Sequence, residues 1–431
     1  MSGIFLAGAA REDITPKVGT LLYGYNPHQV STSIHDPLQV TCAAFSDGIE
    51  KALLLTVTVG DMQTALANEI REKLSNSCGV PISHILLSST HTHSAPNVAG
   101  MEGWGEVDRP YCDEILIPSL FKASKAALER MTPAVIGVGT TNSRIGVNRR
   151  QLNRDGNVVL GQNPWGCYDP TMTVVSIRTE KGEGILNLIH YGAHGTAAGC
   201  NHEISRDWSG VMTDRIEKET GVLTAFWNGA IGDVGPRLTN GGTTGDISYV
   251  EELGAMAASD ALLAYREIGG FHPGTLKLFT GEIHLPYRNL PSLETVQDKL
   301  SQYLEPEKLF NYERLEYNHY RDLETLLKQE KTEHPTHFIF PQTLVSLGDL
   351  LFVPFPFEMF SEITLRLKAY SPWPYTLCLS NTNGYHAYLP SQDQICRGGY
   401  EVACFLAANT YTLTDDADDW IIQENLQIMG A

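Results

Sequence analysis

The chain has 431 residues, of which 42% are apolar, and its 31 basic and 50 acidic side chains give a net charge of −19. Without a dense basic run, nucleic acid and anionic membrane surfaces are not expected partners. The N-terminus lacks the pattern of a signal peptide, no window is apolar enough to span a membrane, and the eight cysteines form no C-x-x-C pair, so we expect a cytoplasmic protein with reduced thiols and no stable membrane association.

In chain order, apolar and β-branched runs predict buried strands, and helical periodicity predicts helices between them. The predicted strands are 51–59, 84–88, 134–139, 172–178, 184–190, 222–227, 345–353 and 375–380. The predicted helices are 62–76, 114–130, 209–219, 249–267 and 358–369. Because the two types interleave, the expected fold class is α/β, with a mixed β-sheet core flanked by helices and a site in loops after the strand ends.

A charged, helix-like segment covers residues 293–331 and is broken near Pro306. Its few apolar positions are typical of a solvated helical hairpin, and a lid or a dimer arm is the alternative. We predict one catalytic domain over residues 1–431 with this segment as an insertion. The sequence leaves a homo-oligomer open.

The first candidate site residues are His91 and His93, in SSTHTHSAPN (88–97) directly after a predicted strand. Residues i and i+2 of an extended segment face the same side, so both imidazoles can face one cleft. Such a pair suits a metal, or one metal ligand beside a proton-transfer group. Two loop histidines bonded to backbone and water are the alternative.

Further candidates follow later strands. His194 lies among small residues whose glycines allow close backbone approach, whereas His190 is predicted to belong to the strand core. Asp207 is expected either to orient an imidazole or to cap the helix that starts near residue 208. Glu358 is either a functional carboxylate or a charge that interacts favourably with a helix N-terminus.

Three tyrosines and a tryptophan are further candidates, and four common catalytic or binding motifs are absent from the sequence. Tyr385, Tyr388 and Tyr400 lie in a predicted long loop, 383–401, where tyrosine usually packs with a solvated hydroxyl. Trp104 is expected either to line a pocket or to pack near the surface. The lack of G-x-S-x-G, Walker A, G-x-G-x-x-G and H-E-x-x-H motifs weakens serine hydrolase and nucleotide-binding interpretations.

Taken in order, seven segments resemble the catalytic domain of the neutral/alkaline ceramidase family, roughly from residue 5 to residue 405. They are AGAAREDITPKVGTLLYGY (7–25), SSTHTHSAPN (88–97), NRR (148–150), GAHGTAAGCNHEISRDWSG (192–210), NGAIGDVGPR (228–237), PFEMFSEITLRLK (356–368) and the tyrosine segment 383–401. Each segment is short, and their common order carries the resemblance.

The resemblance implies one zinc ion per chain, held by two histidines, a glutamate and a tyrosine with a water in the open position. The matching ligands are His91, His194, Glu358 and Tyr388. The choice of Tyr388 over Tyr385 rests on the segment that follows it, YLPSQDQICRGGYE. Residues similar to those that contact substrate and transition state are His93, Arg149 and Tyr400. Substrate-contacting or supporting candidates are Trp104, His202, Asp207, Asn228, Asp233 and Tyr385.

The chain also departs from the family pattern. Gly235 stands where ceramidases carry a serine, so a metal-water mechanism is expected and a serine nucleophile at that position is not. Phe357 places a bulky ring beside Glu358. We expect a divergent member without the C-terminal immunoglobulin-like domain and without a secretion signal.

These features predict a zinc-dependent hydrolase whose metal-bound water cleaves an amide C–N bond of a soluble small molecule. Three alternatives remain at this point: a metal-dependent hydrolase of an ester, lactone or glycoside, a true ceramidase, and a non-catalytic relative that binds a ligand.

Overall fold

The computed structural model of the protein describes residues 4–329 and 333–430, and the elements below lie in those ranges. The strands are β1 (Leu6–Asp13), β2 (Ser33–Ile34), β3 (Gln39–Ser46), β4 (Lys51–Val57), β5 (Ile85–Ser89), β6 (Thr132–Asn142), β7 (Gly146–Leu152), β8 (Val158–Asn163), β9 (Thr171–Thr179), β10 (Gly184–Tyr191), β11 (Glu203–Ile204), β12 (Thr224–Asn228), β13 (Val234–Pro236), β14 (His272–Pro273), β15 (Leu276–Pro286), β16 (His337–Leu347), β17 (Leu350–Pro354), β18 (Glu358–Met359), β19 (Tyr375–Leu379) and β20 (Tyr388–Leu389). The helices are α1 (Thr64–Cys78), α2 (Arg109–Tyr111), α3 (Ile117–Glu129), α4 (Asp207–Thr220), α5 (Ile247–Arg266), α6 (Leu293–Leu300), α7 (Asn311–Lys328), α8 (Ser361–Tyr370), α9 (Gln392–Ile395), α10 (Tyr400–Ala407) and α11 (Ala417–Met429). None of the helices in these ranges has both the length and the apolar character needed to cross a membrane.

The larger sheet of the described ranges has nine strands, ordered β12-β10-β9-β6-β1-β3-β4-β5, with β14 paired to β6. The pairs β4–β5 and β10–β12 are parallel, whereas β1–β3 and β6–β9 are antiparallel. Helices cover this sheet, so the predicted α/β class with a mixed sheet is confirmed. The predicted strands up to residue 227 all lie in it, within a few residues of their expected bounds.

A smaller sheet contains β15, β16, β17 and β19. The prediction of one strand over 345–353 is wrong, because this run covers the end of β16 and most of β17 with a tight turn between them. Gly348 has a φ of 67° at that turn, which lets Leu347 pair with Leu350 across it. Glycine adopts this left-handed conformation at little cost, and a continuous apolar run conceals it.

Buried apolar side chains pack the two sheets face to face. Leu54 and Leu188 of the larger sheet share one cluster with Phe352 of the smaller sheet. Helices α1, α3, α4 and α5 cover the outer face of the larger sheet, and α8 and α11 cover the smaller sheet. The described elements are therefore layered as helices, sheet, sheet and helices.

The two sheets are joined by hydrogen bonds at the carboxyl ends of several strands. Ser380 N, just beyond β19, donates to Asn228 O at the end of β12, at 3.2 Å. Ser89 N, the last residue of β5, donates to Asn381 O at 3.0 Å. Polar residues that follow strands of both sheets are therefore brought together at this edge, as the strand-end argument predicts.

The predicted insertion at 293–331 contains α6 and α7, and its residues 330 and 331 lie outside the described residues. Helix α6 begins after Ser292, whose side chain accepts a hydrogen bond from Thr295 N. Helix α7 packs against α6 and α10 and buries Leu315 and Leu323. One face of the insertion is therefore attached to the rest of the fold.

Candidate functional site

His91 lies directly after β5 in a conformation that is rare for a residue with a Cβ. Its φ is 64°, in the left-handed region, and its N–H donates to Val59 O at 2.9 Å. Gly195, next to His194, lies against it, since a Cβ on Gly195 would be 2.6 Å from the His91 carbonyl oxygen. The close approach expected from the glycines around His194 is therefore observed, and these contacts sustain the strained backbone.

Asp61 fixes the orientation of the His91 ring. Asp61 Oδ1 lies 2.9 Å from His91 Nδ1, and both side chains are buried. Asp61 also accepts hydrogen bonds from the Tyr23 hydroxyl, at 2.7 Å, and from Asn381 Nδ2. Because a carboxylate accepts, the neutral His91 ring carries its proton on Nδ1 and presents the Nε2 lone pair. Burial lowers the pKa of His91, but the charges of Asp61 and Glu358 outweigh it and raise that pKa above its usual value.

His194 lies after β10, and backbone groups hold its ring. Its Nδ1 bonds to Val234 O at 3.0 Å, and the Trp208 indole N–H donates to His194 O at 2.9 Å. Burial and the charge of Arg149 lower the pKa of His194 well below its usual value, so the ring is neutral at pH 7. Since a carbonyl accepts, the proton is on Nδ1 and the lone pair is on Nε2.

Glu358 supplies a carboxylate from the segment that follows β17. The predicted helix over 358–369 begins later, at Ser361, so Glu358 is not a helix N-terminal charge. The reason is a pairing distant in sequence, in which Glu358 of β18 lies opposite Tyr388 of β20. Glu358 is 1% exposed, and its Oε2 lies 2.9 Å from His194 Nε2 and 3.7 Å from His91 Nε2.

His194 Nε2 and Glu358 Oε2 face each other as acceptors, and the neutral His91 ring directs its Nε2 lone pair at the same space, where His93 Nε2 lies 3.1 Å away. Glu358 Oε2 and His194 Nε2 are buried and have no hydrogen-bond partner among the described residues. Such an arrangement is unfavourable unless a cation lies between the atoms. Two imidazole nitrogens and a carboxylate oxygen suit Zn²⁺ in an open site, and they also accept other divalent ions. The three residues therefore fit a divalent metal ion.

His93 lies beside this cluster and faces it from the same side as His91. Its Nε2 is 3.1 Å from His91 Nε2, and the ring nitrogens of His91, His93 and His194 lie within 4.8 Å of one another. Its Nδ1 is buried and has no partner within the described part of the chain. Burial lowers the pKa of His93 well below its usual value, and the proximity of two further imidazoles, His91 and His194, lowers it further. The site therefore contains a neutral imidazole that can take up a proton or contact a ligand.

Arg149 belongs to a second buried polar network beside the cluster. It lies inside β7, where pairing with β13 and β8 buries it. Its Nη2 donates to the Tyr388 hydroxyl at 3.0 Å, and its Nε donates to Glu401 at 2.8 Å. Arg150 donates to the other Glu401 oxygen at 2.7 Å. Burial disfavours the charge of Arg149, but neighbouring Tyr388 and Glu401 outweigh it and raise the pKa of Arg149.

Tyr388 and Tyr400 begin β20 and α10, so the predicted long loop is wrong at both positions. The loop prediction fails because β20 is held by β18, and local patterns do not show that pairing. The Tyr388 hydroxyl contacts Arg149, whereas the Tyr385 hydroxyl donates to Glu358 Oε1 at 3.1 Å. Burial and the charge of Glu358 raise the pKa of both Tyr385 and Tyr388 well above the usual value, so both are protonated at pH 7.

Asp233 and Asn228 support the site through neighbouring groups. Asp233 Oδ1 accepts from both the N–H and the hydroxyl of Ser361, at 2.8 Å each, and so ties the loop after β12 to the start of α8. Burial raises the pKa of Asp233 to about 6. Asn228 Nδ2 donates to Thr90 O at 3.0 Å, next to His91.

Asp207 acts on the loop after His194, and not on an imidazole. Its Oδ1 accepts from Ala197 N at 3.1 Å and from Trp208 N at 2.7 Å, and its Oδ2 accepts from Ala198 N at 2.9 Å. The sequence predicts that Asp207 either orients an imidazole or caps a helix that starts near residue 208. Asp207 is itself the first residue of α4, so neither interpretation holds as stated. Burial raises the pKa of Asp207 to about 6.

His202 bonds to the backbone, and Trp104 packs among apolar side chains. His202 Nδ1 bonds to Val30 O at 2.7 Å. Trp104 is 5% exposed and belongs to an apolar cluster, which favours packing over a pocket-lining role. His190 packs inside β10 with its Nε2 bonded to Cys378 O at 2.8 Å, as predicted for a core histidine.

The structure accommodates both departures from the family pattern. A Cβ on Gly235 would lie 2.6 Å from the Thr243 side chain, so a serine there requires its neighbour to shift. The Phe357 ring packs against Phe338 and Phe340, with centroids 6.0 and 6.1 Å away. Adjacent residues of an extended segment face opposite sides, so this ring leaves the Glu358 carboxylate free to face the histidines.

Four residues that contact candidate site residues or their partners are not predicted from the sequence: Asp61, Tyr23, Asn381 and Glu401. Asp61 and Asn381 follow predicted strands, so the strand-end rule applied without a bias towards histidine finds them. Glu401 adjoins Tyr400, and its role depends on two arginines far away in sequence. Tyr23 lies in the family-like segment 7–25, but its bond to Asp61 arises from tertiary packing.

Known proteins share this fold and sequence pattern. A family model described as "Neutral/alkaline non-lysosomal ceramidase, N-terminal" matches residues 5–251, more than half of the chain. A neutral ceramidase from Pseudomonas aeruginosa has a similar structure, with a TM-score of 0.75 at 16% identity over 100% of this chain and 74% of that one. A ceramidase complexed with C2 gives a TM-score of 0.72 at 16% identity over 99% of this chain and 75% of that one. No curated protein matched the chain. At such identity the two structures establish the fold.

Proposed function

The chain belongs to the neutral/alkaline non-lysosomal ceramidase family, and on that premise we propose that it is a zinc-dependent hydrolase of an amide C–N bond in a soluble small molecule. The observation that carries the proposal is the convergence of His91 Nε2, His194 Nε2 and Glu358 Oε2 on one space. These three residues would hold the metal, with Tyr388 as the fourth ligand by resemblance. When bound, the ion supplies Lewis acidity and makes a coordinated water more acidic.

Residues around the cluster supply what amide cleavage needs besides a metal. His93 is neutral, and its lone pair can accept a proton and return it to the leaving amine. Arg149 keeps its positive charge beside the site because Glu401 holds it in place. This cation and the hydroxyl of Tyr400, whose ring centroid lies 5.9 Å from that of Tyr388, are suited to stabilise a developing oxyanion.

The space next to the cluster favours a compact substrate. Phe338, Phe357 and Phe405, with several polar side chains, line a pocket of about 20 Å³ that reaches Tyr388. That volume holds roughly one water-sized group, far less than a long alkyl chain. A larger cavity of about 350 Å³ reaches Tyr385 and has many polar lining residues. These sizes support a soluble substrate, and the family membership makes a true ceramidase the second candidate.

Plasma mass spectrometry of the purified protein tests the metal, with His91→Ala beside His202→Ala as the matched control. We expect about one zinc per chain in the wild type and in His202→Ala, and none in His91→Ala, because His202 lies outside the cluster. Zinc that is absent and not restored by addition would contradict the mechanism and favour a ligand-binding role.

Hydrolysis assays with the zinc-loaded protein test the bond and the substrate. Soluble N-acetyl amides, their ester counterparts and a short-chain ceramide in micelles are compared by kcat/KM. We expect the soluble amides to be cleaved fastest. Faster cleavage of esters or of ceramide in the presence of bound zinc would replace the proposed substrate while leaving the metal site intact.

A further inference from the structure

The first residue of helix α7, Asn311, forms hydrogen bonds beside the candidate site. Asn311 N donates to Gly103 O at 2.9 Å, and Asn311 Nδ2 donates to Tyr25 O at 2.8 Å. The Tyr25 ring in turn lies 5.1 Å from the His93 ring, measured between centroids. Gly103 has a φ of 90°, and a Cβ there would be 2.4 Å from Asn311 O, so the contact requires glycine. Helix α7 is therefore fixed beside the site.

The cavity of about 350 Å³ lies between α7 and the turn that carries Tyr385. Its lining includes Glu102, Asn318, His319 and Asp322 on one side and Tyr385 and His386 on the other. Because the Tyr385 hydroxyl also donates to Glu358, this side chain connects the cavity lining to a proposed metal ligand. Its volume lies in the range of small-molecule sites.

Asn318 is the lining residue whose hydrogen bonding is incomplete. It is 4% exposed, and its Nδ2 donates to Glu102. A carboxylate accepts, so this bond fixes the amide with its nitrogen towards Glu102 and leaves Oδ1 as a free acceptor. Asn318 Oδ1 is buried and has no hydrogen-bond partner in the described residues. A buried acceptor in this state is unfavourable until a donor reaches it.

The charges around the cavity are one-sided. Glu102 and Asp322 are carboxylates, and among the described lining residues none is Lys or Arg. Arg321, the residue before Asp322 on the helix, forms an ion pair with it, with Nη2 and Oδ1 2.8 Å apart. His319 Nδ1 bonds to Asn409 O at 2.8 Å, and burial lowers the pKa of His319, so it is neutral at pH 7. An anionic ligand would find no cation in this lining.

We propose that this cavity binds the hydrogen-bond-donating end of the substrate, a hydroxyl or an ammonium group, and that Asn318 is the residue that selects it. The inference rests on the proposed function for the reaction, whereas binding at the cavity does not depend on catalysis. A donor group would complete the bonding of Asn318 Oδ1 and lie beside Glu102. A carboxylate or phosphate group would face acceptors and is rejected.

Four acetamides of similar size test this proposal with the zinc-loaded protein. They are N-acetylethanolamine, N-acetylethylenediamine, N-propylacetamide and N-acetyl-β-alanine. We expect kcat/KM for the first two to exceed that for N-propylacetamide by about tenfold, the usual effect of a hydrogen bond to a buried group, and N-acetyl-β-alanine to be the poorest. In Asn318→Ala the ratio of kcat/KM for the first two amides to that for N-propylacetamide is expected to fall to about one.

Two further variants test the proposal independently of Asn318→Ala. Glu102→Gln, at an exposed position, is expected to lower kcat/KM for the ammonium-bearing amide more than for the hydroxyl-bearing amide. This difference distinguishes the two donors even if Asn318→Ala does not fold. Glu313→Ala, exposed on α7 and outside the cavity lining, is the matched control and should change nothing.

The outcomes separate this proposal from the proposed function. Equal kcat/KM for all four amides, or an Asn318→Ala variant that slows all four equally, would overturn the selection by Asn318 and leave amide hydrolysis standing. If the wild type cleaves none of them, ligand-detected NMR of the same four compounds decides. Stronger binding of the two donor-bearing amides, lost in Asn318→Ala, would support the cavity, and equal binding would refute it.

Discussion

Two buried polar regions lie side by side in this protein, and they satisfy their polar groups in opposite ways. In the arginine network, Arg149 and Arg150 both donate to Glu401, and Arg150 also donates to Gly398 O. In the histidine cluster, His194 Nε2 and Glu358 Oε2 face each other at 2.9 Å without a donor between them. Both regions are equally inaccessible to solvent, so burial does not distinguish them.

The difference shows how a structural polar core is told apart from a site that needs a ligand. A network whose donors and acceptors match is complete within the chain and rigidifies it. A buried group of acceptors facing acceptors is complete after a cation has bound. Variants in the first region should therefore change stability, together with the oxyanion contact proposed for Arg149, and variants in the second should change metal binding.

Glu358→Gln is expected to have the largest effect, which is the loss of metal binding. The carboxylate is the anionic group at the point where the two lone pairs converge, and a neutral amide is a poor replacement. Thermal unfolding of the metal-free variant should stay close to that of the metal-free wild type. Glu362→Gln, in the first turn of α8, is the matched control. A Glu358→Gln protein that still holds about one zinc per chain would contradict the assignment of the histidine cluster as the metal site.

Glu401→Gln is expected to have the next largest effect, now on stability. The change leaves two buried guanidinium groups without their anion, which typically costs about 3–5 kcal/mol in the free energy of unfolding. Chemical denaturation measures this free energy, and the metal content of the folded protein should not change. Lys122→Gln removes an exposed ion pair with Glu12 and should cost about 0–1 kcal/mol. A Glu401→Gln protein as stable as Lys122→Gln would contradict the contrast.

Asp61→Asn is expected to weaken metal binding without abolishing it. An amide in place of the carboxylate can donate to His91 Nδ1 and so favour the tautomer with a proton on Nε2, which removes the lone pair from the site. Loss of such a supporting carboxylate typically lowers metal affinity about 10–100-fold. Competition with a fluorescent zinc chelator measures the affinity. Tyr23→Phe, which removes one hydrogen bond to Asp61, should weaken binding less, and the reverse order would disprove the positioning role.

His190 gives the most gradual effect, and it separates a core histidine from those of the cluster. Burial lowers the pKa of His190 to about 4, below the usual value near 6.5. The unfolded chain therefore binds this proton more readily, so stability is full above about pH 6.5 and falls as the pH drops towards 4, by up to about 1.4 kcal/mol per unit. Denaturation of wild type and His190→Gln across this range should show a difference that shrinks with falling pH. A constant difference would contradict the assignment.

Long apolar runs account for the part of the fold that the sequence predicts. Strands β4, β5, β9 and β10 are continuous and β-branched or aliphatic, so their bounds follow from the pattern within a few residues. Strand β1 is not predicted from the sequence because it consists mostly of small and charged residues. Its Gly8 lies so close to α3 that a Cβ would be 2.2 Å from Ala127 O, a requirement visible after the two elements have packed.

The candidate site is predictable in its residue types and less so in its contacts. His91, His194 and Glu358 lie at strand ends or carry family motifs, and the structure brings them together. Their surroundings depend on pairings far apart in sequence. The helix signal ahead of α8 suggests a helical Glu358, and the pairing of β18 with β20 overrides it. The contact of Asp61 with Tyr23 likewise arises from tertiary packing.

The candidate ligands are divided between the two halves of the fold. His91 and His194 follow strands of the nine-stranded sheet, whereas Glu358 and Tyr388 come from segments attached to the smaller sheet. An ion held by both groups would be a cross-link between the layers, and neither layer could open without releasing it. Binding that favours the native state in this way raises the free energy of unfolding with metal concentration. Metal loading is therefore expected to raise the melting temperature of both layers together.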